Sequence, residues 1–475
     1  MVLAENATMH RSSNHPSSAG PTGVSASITS DWTCPFCPLL CDDIAAGVHS
    51  DDSLSAPATD CPRLGRALAL YGAADAHCKA SVDSQQADLD TALARAADIL
   101  AQARRPLFGG MATDIAGARS LYALAAHCGA IVDHLHGDAL TASTLALQDR
   151  GAFFTTLSEV RARADLVVVF ACQPSARHPR FYARATGTAP FTRTFRFVGC
   201  EADPAVDALR HAGAASLLAG GDLFDLLAVW SALLEGRGVE ALDDASGTAR
   251  ALAGLIDEIH AARYTVFVYE PEALPGPHAA LLIEALNRLI KAVNRTTRAG
   301  GLPLGGADGA LSASQTFTWL SGFPLRTRIA MPGRLAEAPL DHDPTRYRTD
   351  TLLARHEVDA LLWVSSFGPQ PLPDTLDPDV PAIVLGHAAM AAATASAAAA
   401  RRGPTVFIPV ATPGIDIGGH LFRIDGTVVA PLSAARHAGL PGVDAIAARL
   451  ADSVEKSRHA DTPASGVAGT TRSAP

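Results

Sequence analysis

At 475 residues the chain has room for roughly three domains of about 150 residues each, and a hydrophobic fraction of 48% is enough to give each one a core. Its 38 Lys and Arg against 48 Asp and Glu leave a formal charge of −10. That balance argues against nucleic acid or an anionic membrane as the partner and for a neutral or protein one. The small-apolar run over 388–400 contains Thr394 and Ser396 and falls well short of the ~20 apolar residues that span a bilayer.

In chain order, residues 1–30 are rich in Ser, Ala, Asn and Pro, lack the basic end and apolar centre of a signal peptide, and read as a flexible arm. Without an export signal the expected compartment is the cytoplasm, where clustered cysteines signal metal or redox chemistry rather than disulfides. Four of the eight cysteines follow at once: Cys34, Cys37, Cys41 and Cys61, spaced C-x2-C-x3-C-x19-C. A thiolate loop of this kind can wrap a cubane, with the distant fourth cysteine closing the site. The favoured occupant is one [4Fe-4S] cluster in a module over 31–75. Zinc is the competitor, although the second paired knuckle of a zinc ribbon is missing, and unligated thiols are a third reading. Cys78, Cys128, Cys172 and Cys200 lie in apolar surroundings and read as buried structural thiols.

Beyond this module the chain settles into an α/β rhythm. Apolar runs at 106–109, 130–133, 165–172, 194–200, 264–270, 360–365, 382–386 and 405–410 have the content of strands buried on both faces. Leu89, Leu93, Ala96, Ala97 and Leu100 recur at helical spacing after Asp88, as do Leu282, Leu286, Leu289, Ile290 and Val293. The fold class is α/β with mainly parallel sheets. Residues 220–244, followed by an alanine-rich helix, suggest a passage between domains. The expected division is a discontinuous α/β domain over 76–134 and 262–450, a second α/β domain over 135–261, and an unstructured tail over 451–475, where Ser, Thr, Ala and Pro come to dominate.

Asp133-His134-Leu135-His136 follows a strand, and two imidazoles two apart on extended chain can share a metal. The further histidines and the aspartate base of a binuclear zinc hydrolase are not visible as a set, with His178, His211, His260, His278, His342, His356, His387 and His420 in mixed contexts. The preferred reading is a structural loop lining a pocket. Gly300-Gly301 and the glycines from Gly305 to Gly309 read as a flexible loop, since no phosphate motif accompanies them. Arg326 and Arg328 suit either an anion or solvent. Ser365-Ser366 lacks the elbow of a serine hydrolase.

Cys34-Pro35-Phe36-Cys37-Pro38-Leu39-Leu40-Cys41-Asp42-Asp43-Ile44 resembles the signature that opens the B subunit of formylmethanofuran dehydrogenase, a molybdopterin oxidoreductase. The strand and turn from Asp165 through Cys172-Gln173-Pro174 to His178-Pro179-Arg180 is similar to the family's turn facing the pterin. Thr318-Trp319-Leu320-Ser321-Gly322-Phe323-Pro324 and the block 407–426 add to the likeness, which covers about 32–445. The resemblance implies a molybdopterin-oxidoreductase-like fold with an N-terminal iron-sulfur module and two parallel-sheet domains, but without the C-terminal β-barrel domain of redox relatives.

Departures from the family pattern carry the functional expectation. The position of the cysteine that ligates tungsten or molybdenum falls at Ala139, and its histidine neighbour falls at Leu140. A methyl group offers no lone pair to a metal. Ala171 and Gln173 stand where glycine and asparagine are favoured, and Glu201 where an arginine often meets the nucleotide, so a molybdopterin with tungsten or molybdenum is expected to be absent. Pro38 replaces a glycine beside the cluster. The resemblance implies a redox-silent B subunit with no catalytic residue of its own. It would sit in a formyltransferase/hydrolase complex of tetrahydromethanopterin-linked one-carbon oxidation, among a hydrolase-like A subunit, a C subunit and a formyltransferase subunit. The alternative is an active tungsten or molybdenum formylmethanofuran dehydrogenase subunit.

Overall fold

The computed structural model describes residues 25–187, 192–209, 212–237, 247–331 and 339–460. Two sheets with parallel centres organise them. In the larger, the strand order is Leu340–His342, Thr327–Ile329, Ile131–Val132, Pro106–Ala112, Ala360–Ser365, Ala382–Gly386, Thr405–Pro409, Ala80–Val82 and Gln85–Ala87. The five from Ile131–Val132 to Thr405–Pro409 run parallel, and antiparallel pairs close both edges. Ala360–Ser365, Ala382–Gly386 and Thr405–Pro409 are buried at every position, as apolar strands covered on both faces must be.

Because strand side chains alternate, the two faces build separate cores. Phe108, Leu362, Val364, Ile383 and Leu385 meet the helices Leu89–Gln102, Ile115–Cys128 and Val443–Ala460, whereas Leu107, Leu361, Trp363 and Val384 pack on the other side. The first of these helices starts where Asp88 accepts the N–H of Thr91 at 2.7 Å. The second starts at Asp114 and stops at Gly129, whose φ of 71° ends it in the left-handed conformation.

The second sheet has the order Ala212–Leu217, Arg193–Val198, Leu166–Phe170, Thr265–Tyr269 and Ala299–Pro303, all parallel. Leu166, Val168, Phe170 and Phe267 face the helices Leu223–Leu234, Thr248–Ala261 and Ala279–Val293. Val167, Val169, Val266 and Val268, one residue out of phase, instead receive the N-terminal cysteine module. Among the described residues no helix is long and apolar enough to cross a membrane.

The eight predicted strands are present, but the sheets they join differ from the expected division. Thr265–Tyr269 pairs with Leu166–Phe170 and with Ala299–Pro303, so the second sheet continues to residue 303 instead of ending near 261. The helix Thr248–Ala261 is therefore a crossover within that sheet, as parallel neighbours require, rather than a passage between domains. Gly300 and Gly301 belong to an edge strand and not to a flexible loop. A Cβ on Gly300 would lie 2.7 Å from the Tyr264 hydroxyl, which explains the glycine.

Order also begins earlier and ends later than expected. Ser25–Trp32 is a strand paired antiparallel with Ile44–His49, and it begins within the expected arm 1–30. The helix Val443–Ala460 runs through the first part of the expected tail 451–475, because Leu450, Ala451 and Val454 complete its apolar stripe against the core. Residues 1–24, 461–475, the 238–244 part of the expected passage and His211 lie outside the described residues.

Candidate functional site

The cysteine module is a short curled loop set on the valine face of the second sheet. The Cys34 N–H donates to the Cys41 carbonyl at 2.9 Å, and the Leu40 N–H to the Cys37 carbonyl at 2.9 Å. Leu40 makes this turn at a φ of 45°, a conformation uncommon outside glycine. Cys34, Cys37 and Cys41 are buried, and Cys61 is half-buried at the start of the helix Pro62–Leu68. Cys34, Cys37 and Cys41 belong to one hydrophobic cluster, and Cys61 packs against it.

Burial pushes the Cys34, Cys37 and Cys41 thiols up, Cys37 to about 12, and at Cys34 the other three cysteines add to the rise. Positive charge opposes it. Arg63 acts on Cys37, and Arg180 and Arg184 act on Cys41. Arg180 is held by a bidentate pair with Asp43 at 2.8 and 2.7 Å, and Arg184 by Asp42 at 2.8 Å. His178 Nδ1 lies 3.5 Å from Cys37 Sγ. Thus the turn His178-Pro179-Arg180, expected to face the pterin, grips the cysteine loop.

Among the described residues no group of three or more His, Cys, Asp or Glu side chains stands in a metal-holding array. The chemistry of the donors nonetheless fits a thiolate-bound polyanion: four cysteines in one module, with Arg63, Arg180, Arg184 and His178 about them.

A second constellation lies where the first sheet's strand Ile131–Val132 ends. A cleft of about 460 Å³ is lined by Asp133, His134, His136, Asp138, Ala139, Glu272, Arg326, Arg348 and Trp363, among others. Arg326 is buried and lies 3.2 Å from Asp133 and 2.5 Å from Asp138. Arg348 holds Asp138 from the other side at 2.7 Å. Burial alone would raise the Asp138 carboxyl, but the two arginines keep it below the usual range, while burial wins at Asp133 and raises it.

The histidine pair is stacked, with ring centroids 5.6 Å apart. Both nitrogens of His136 face carboxylates, Glu272 at 3.1 Å and Asp308 at 3.0 Å. Burial disfavours its charged form, but the hydrogen bonds and charges of Asp308 and Glu272 outweigh that and push its pKa up to about 9. His134, fully enclosed and beside that positive charge, is pushed down to about 3. It accepts the His136 N–H at Nδ1 and lies 3.3 Å from the Asp308 carbonyl at Nε2, so both ring nitrogens have backbone partners.

The structure brings Ala139 to the cleft, and Leu140 turns aside to pack against the larger core. Ala171, Gln173 and Glu201 do not line it. Ala171 sits at a φ of 53°, which is why glycine suits that position, and Gln173 donates to the carbonyls of Glu201 and Ala202. Arg326, open between anion and solvent in the sequence, is a buried ion-pair partner. Sequence reasoning missed Glu272, Arg348 and the role of Asp308. The one local signal for Asp308 was its glycine-rich surroundings, where Gly306 and Gly309 take positive φ.

No family model matches the chain. It is 30% identical over 361 residues to the B subunit of the formyltransferase/hydrolase complex Fhc of Methylorubrum extorquens, covering 75% of this chain and 91% of that protein. It is also 25% identical over 421 residues to the B subunit of the tungsten-containing formylmethanofuran dehydrogenase 2 of Methanocaldococcus jannaschii, covering 83% and 91%. A chain in the crystal structure of the Methylorubrum extorquens formyltransferase/hydrolase complex FhcABCD with methylofuran superposes with a TM-score of 0.66 at 28% identity, covering 80% of this chain and 99% of that one. The two-sheet α/β architecture is thus that of a subunit from a multi-subunit assembly. The chain belongs to the family of formyltransferase/hydrolase complex B subunits, to which the B subunits of formylmethanofuran dehydrogenase are related.

Proposed function

We propose that this chain is a structural, redox-silent B subunit of a formyltransferase/hydrolase complex, working in tetrahydromethanopterin- and methanofuran-linked oxidation of one-carbon units. The observation that carries the reading is Ala139. At the position where the family resemblance expects a metal-ligating cysteine, a methyl group meets a cleft whose arginines, Arg326 and Arg348, are already committed to Asp133 and Asp138. A phosphate-bearing cofactor would have to displace those carboxylates. The chemistry would then reside in neighbours, a hydrolase-like subunit and a formyltransferase subunit, with a C subunit completing the assembly.

In this reading Cys34, Cys37, Cys41 and Cys61 hold one [4Fe-4S] cluster, which would supply rigidity to the loop. The surrounding arginines support a site for negative charge. None of the eight cysteines is joined in a disulfide, which supports a reducing, cytoplasmic setting.

Co-expression with hydrolase-like, C-type and formyltransferase subunits tests the role. A stable complex that releases formate without reducing viologen dye, and from which acid extraction yields no molybdopterin, is the expected result. Tungsten or molybdenum at near one per chain, with viologen reduction by formylmethanofuran, would instead establish the dehydrogenase reading.

A further inference from the structure

His178 is almost wholly buried, and its two nitrogens look in opposite directions. Nδ1 lies 3.5 Å from the sulfur of Cys37. Among the described residues Nε2 has no hydrogen-bond partner, and it lies 3.7 Å from Oε1 of Glu270, itself 3% exposed and flanked by Arg177 at 3.5 Å. The ring's place is set by the backbone: the His178 N–H donates to the Pro174 carbonyl at 2.9 Å, and its carbonyl accepts from Phe181 at 2.8 Å. A buried imidazole with one unpaired nitrogen is costly, and packing alone would be served as well by leucine.

The arrangement instead suits a donor held ready for negative charge on Cys37. We infer that His178 is a positioning residue of the cysteine site, its Nδ1–H directed at the Cys37 sulfur, so that it sets the reduction potential of the centre those cysteines hold. This rests on the cluster reading above. A hydrogen bond to a ligand sulfur favours the more negative, reduced state of a cluster, so its presence raises the potential. Glu270 directly follows the strand Thr265–Tyr269, so the end of a second-sheet strand brings its charge to His178.

The test uses anaerobically purified full-length protein, with iron and acid-labile sulfide measured before potentiometric titration followed by visible and EPR spectroscopy. Two variants divide donor from volume: His178→Leu fills the space without an N–H, and His178→Asn keeps a donor near the Nδ1 position. The expected midpoint of the leucine variant is more negative than that of the wild type, with the asparagine variant nearer the wild type. A leucine variant without iron beside a loaded asparagine variant supports the same role. Variants that behave alike, both at the wild-type midpoint or both without iron, overturn it. Absence of iron and sulfide from the wild-type protein sinks the cluster reading itself, and is seen before any variant is made.

Discussion

Nε2 of His136 lies 3.0 Å from Oδ2 of Asp308, a residue 172 positions further along the chain. The contact joins the turn after the first sheet's strand Ile131–Val132 to the loop after the second sheet's strand Ala299–Pro303. Together with Glu272, it makes one imidazole a tie between two sheets.

That tie gives the protein a pH dependence with a definite sign. The His136 pKa rises from 6.5 to about 9 on folding, so its stabilisation is complete below pH 6.5 and is lost as pH rises through 9. The lost contribution is on the order of 3 kcal/mol. The groups facing it are His134, Asp308 and Glu272, the last also paired with Arg177. Urea unfolding at pH 6.5, 8 and 9.5 should show wild-type stability falling, and a His136→Gln variant should show a flatter profile. Parallel slopes for the two proteins would exclude His136 as the source.

Arg326 and Asp133 are both buried, 4% and 3% exposed at their side chains. Removing one partner leaves the other charge stranded in the core, a loss of roughly 3–5 kcal/mol. Arg326→Met should therefore lower the urea midpoint sharply, whereas Arg348→Met, at an exposed pair, should change stability by less than about 1 kcal/mol. Equal effects from the two variants would mean that the buried pair carries no special share.

Gly137 opens the helix Gly137–Arg150, where alanine would ordinarily favour the helix by about 1 kcal/mol. Here a Cβ would stand 2.2 Å from Oδ1 of Asp133 and 2.9 Å from Nη2 of Arg326. Overpacking against a fixed ion pair outweighs propensity, and Gly137→Ala should destabilise by roughly 1–3 kcal/mol. A gain in thermal midpoint would show that the pair gives way freely.

Cys61 approaches the cysteine loop from a separate helix, so it tests whether the four thiols act as one set. Anaerobic Cys61→Ala protein should contain less iron and sulfide than the wild type and unfold earlier, since a centre bound only by the folded chain stabilises it. A Cys78→Ala variant serves as control, because Cys78 packs beside a different core. An unchanged cluster spectrum in Cys61→Ala would remove that cysteine from the ligand set.

What the sequence determined by itself was local. The eight central strands were readable because apolar runs fully covered on both faces leave a nearly unbroken pattern, and the helix after Asp88 because its cap and its periodic leucines lie within a few residues of one another. The four cysteines were legible as one residue type at a recognisable spacing, and Ala139 only through the family resemblance, as the position where its metal-ligating cysteine would fall. Which sheet each strand joins was not, since a parallel strand pairs through a crossover of many residues and Thr265–Tyr269 carries no mark that selects Leu166–Phe170. Only the tertiary structure turned Arg326 inward, set Glu272 and Asp308 on opposite sides of His136, and put His178 beside Cys37, 141 positions away. Those are pairings of buried polar groups, and a polar residue's neighbours in sequence say little about the partner whose approach makes its burial tolerable.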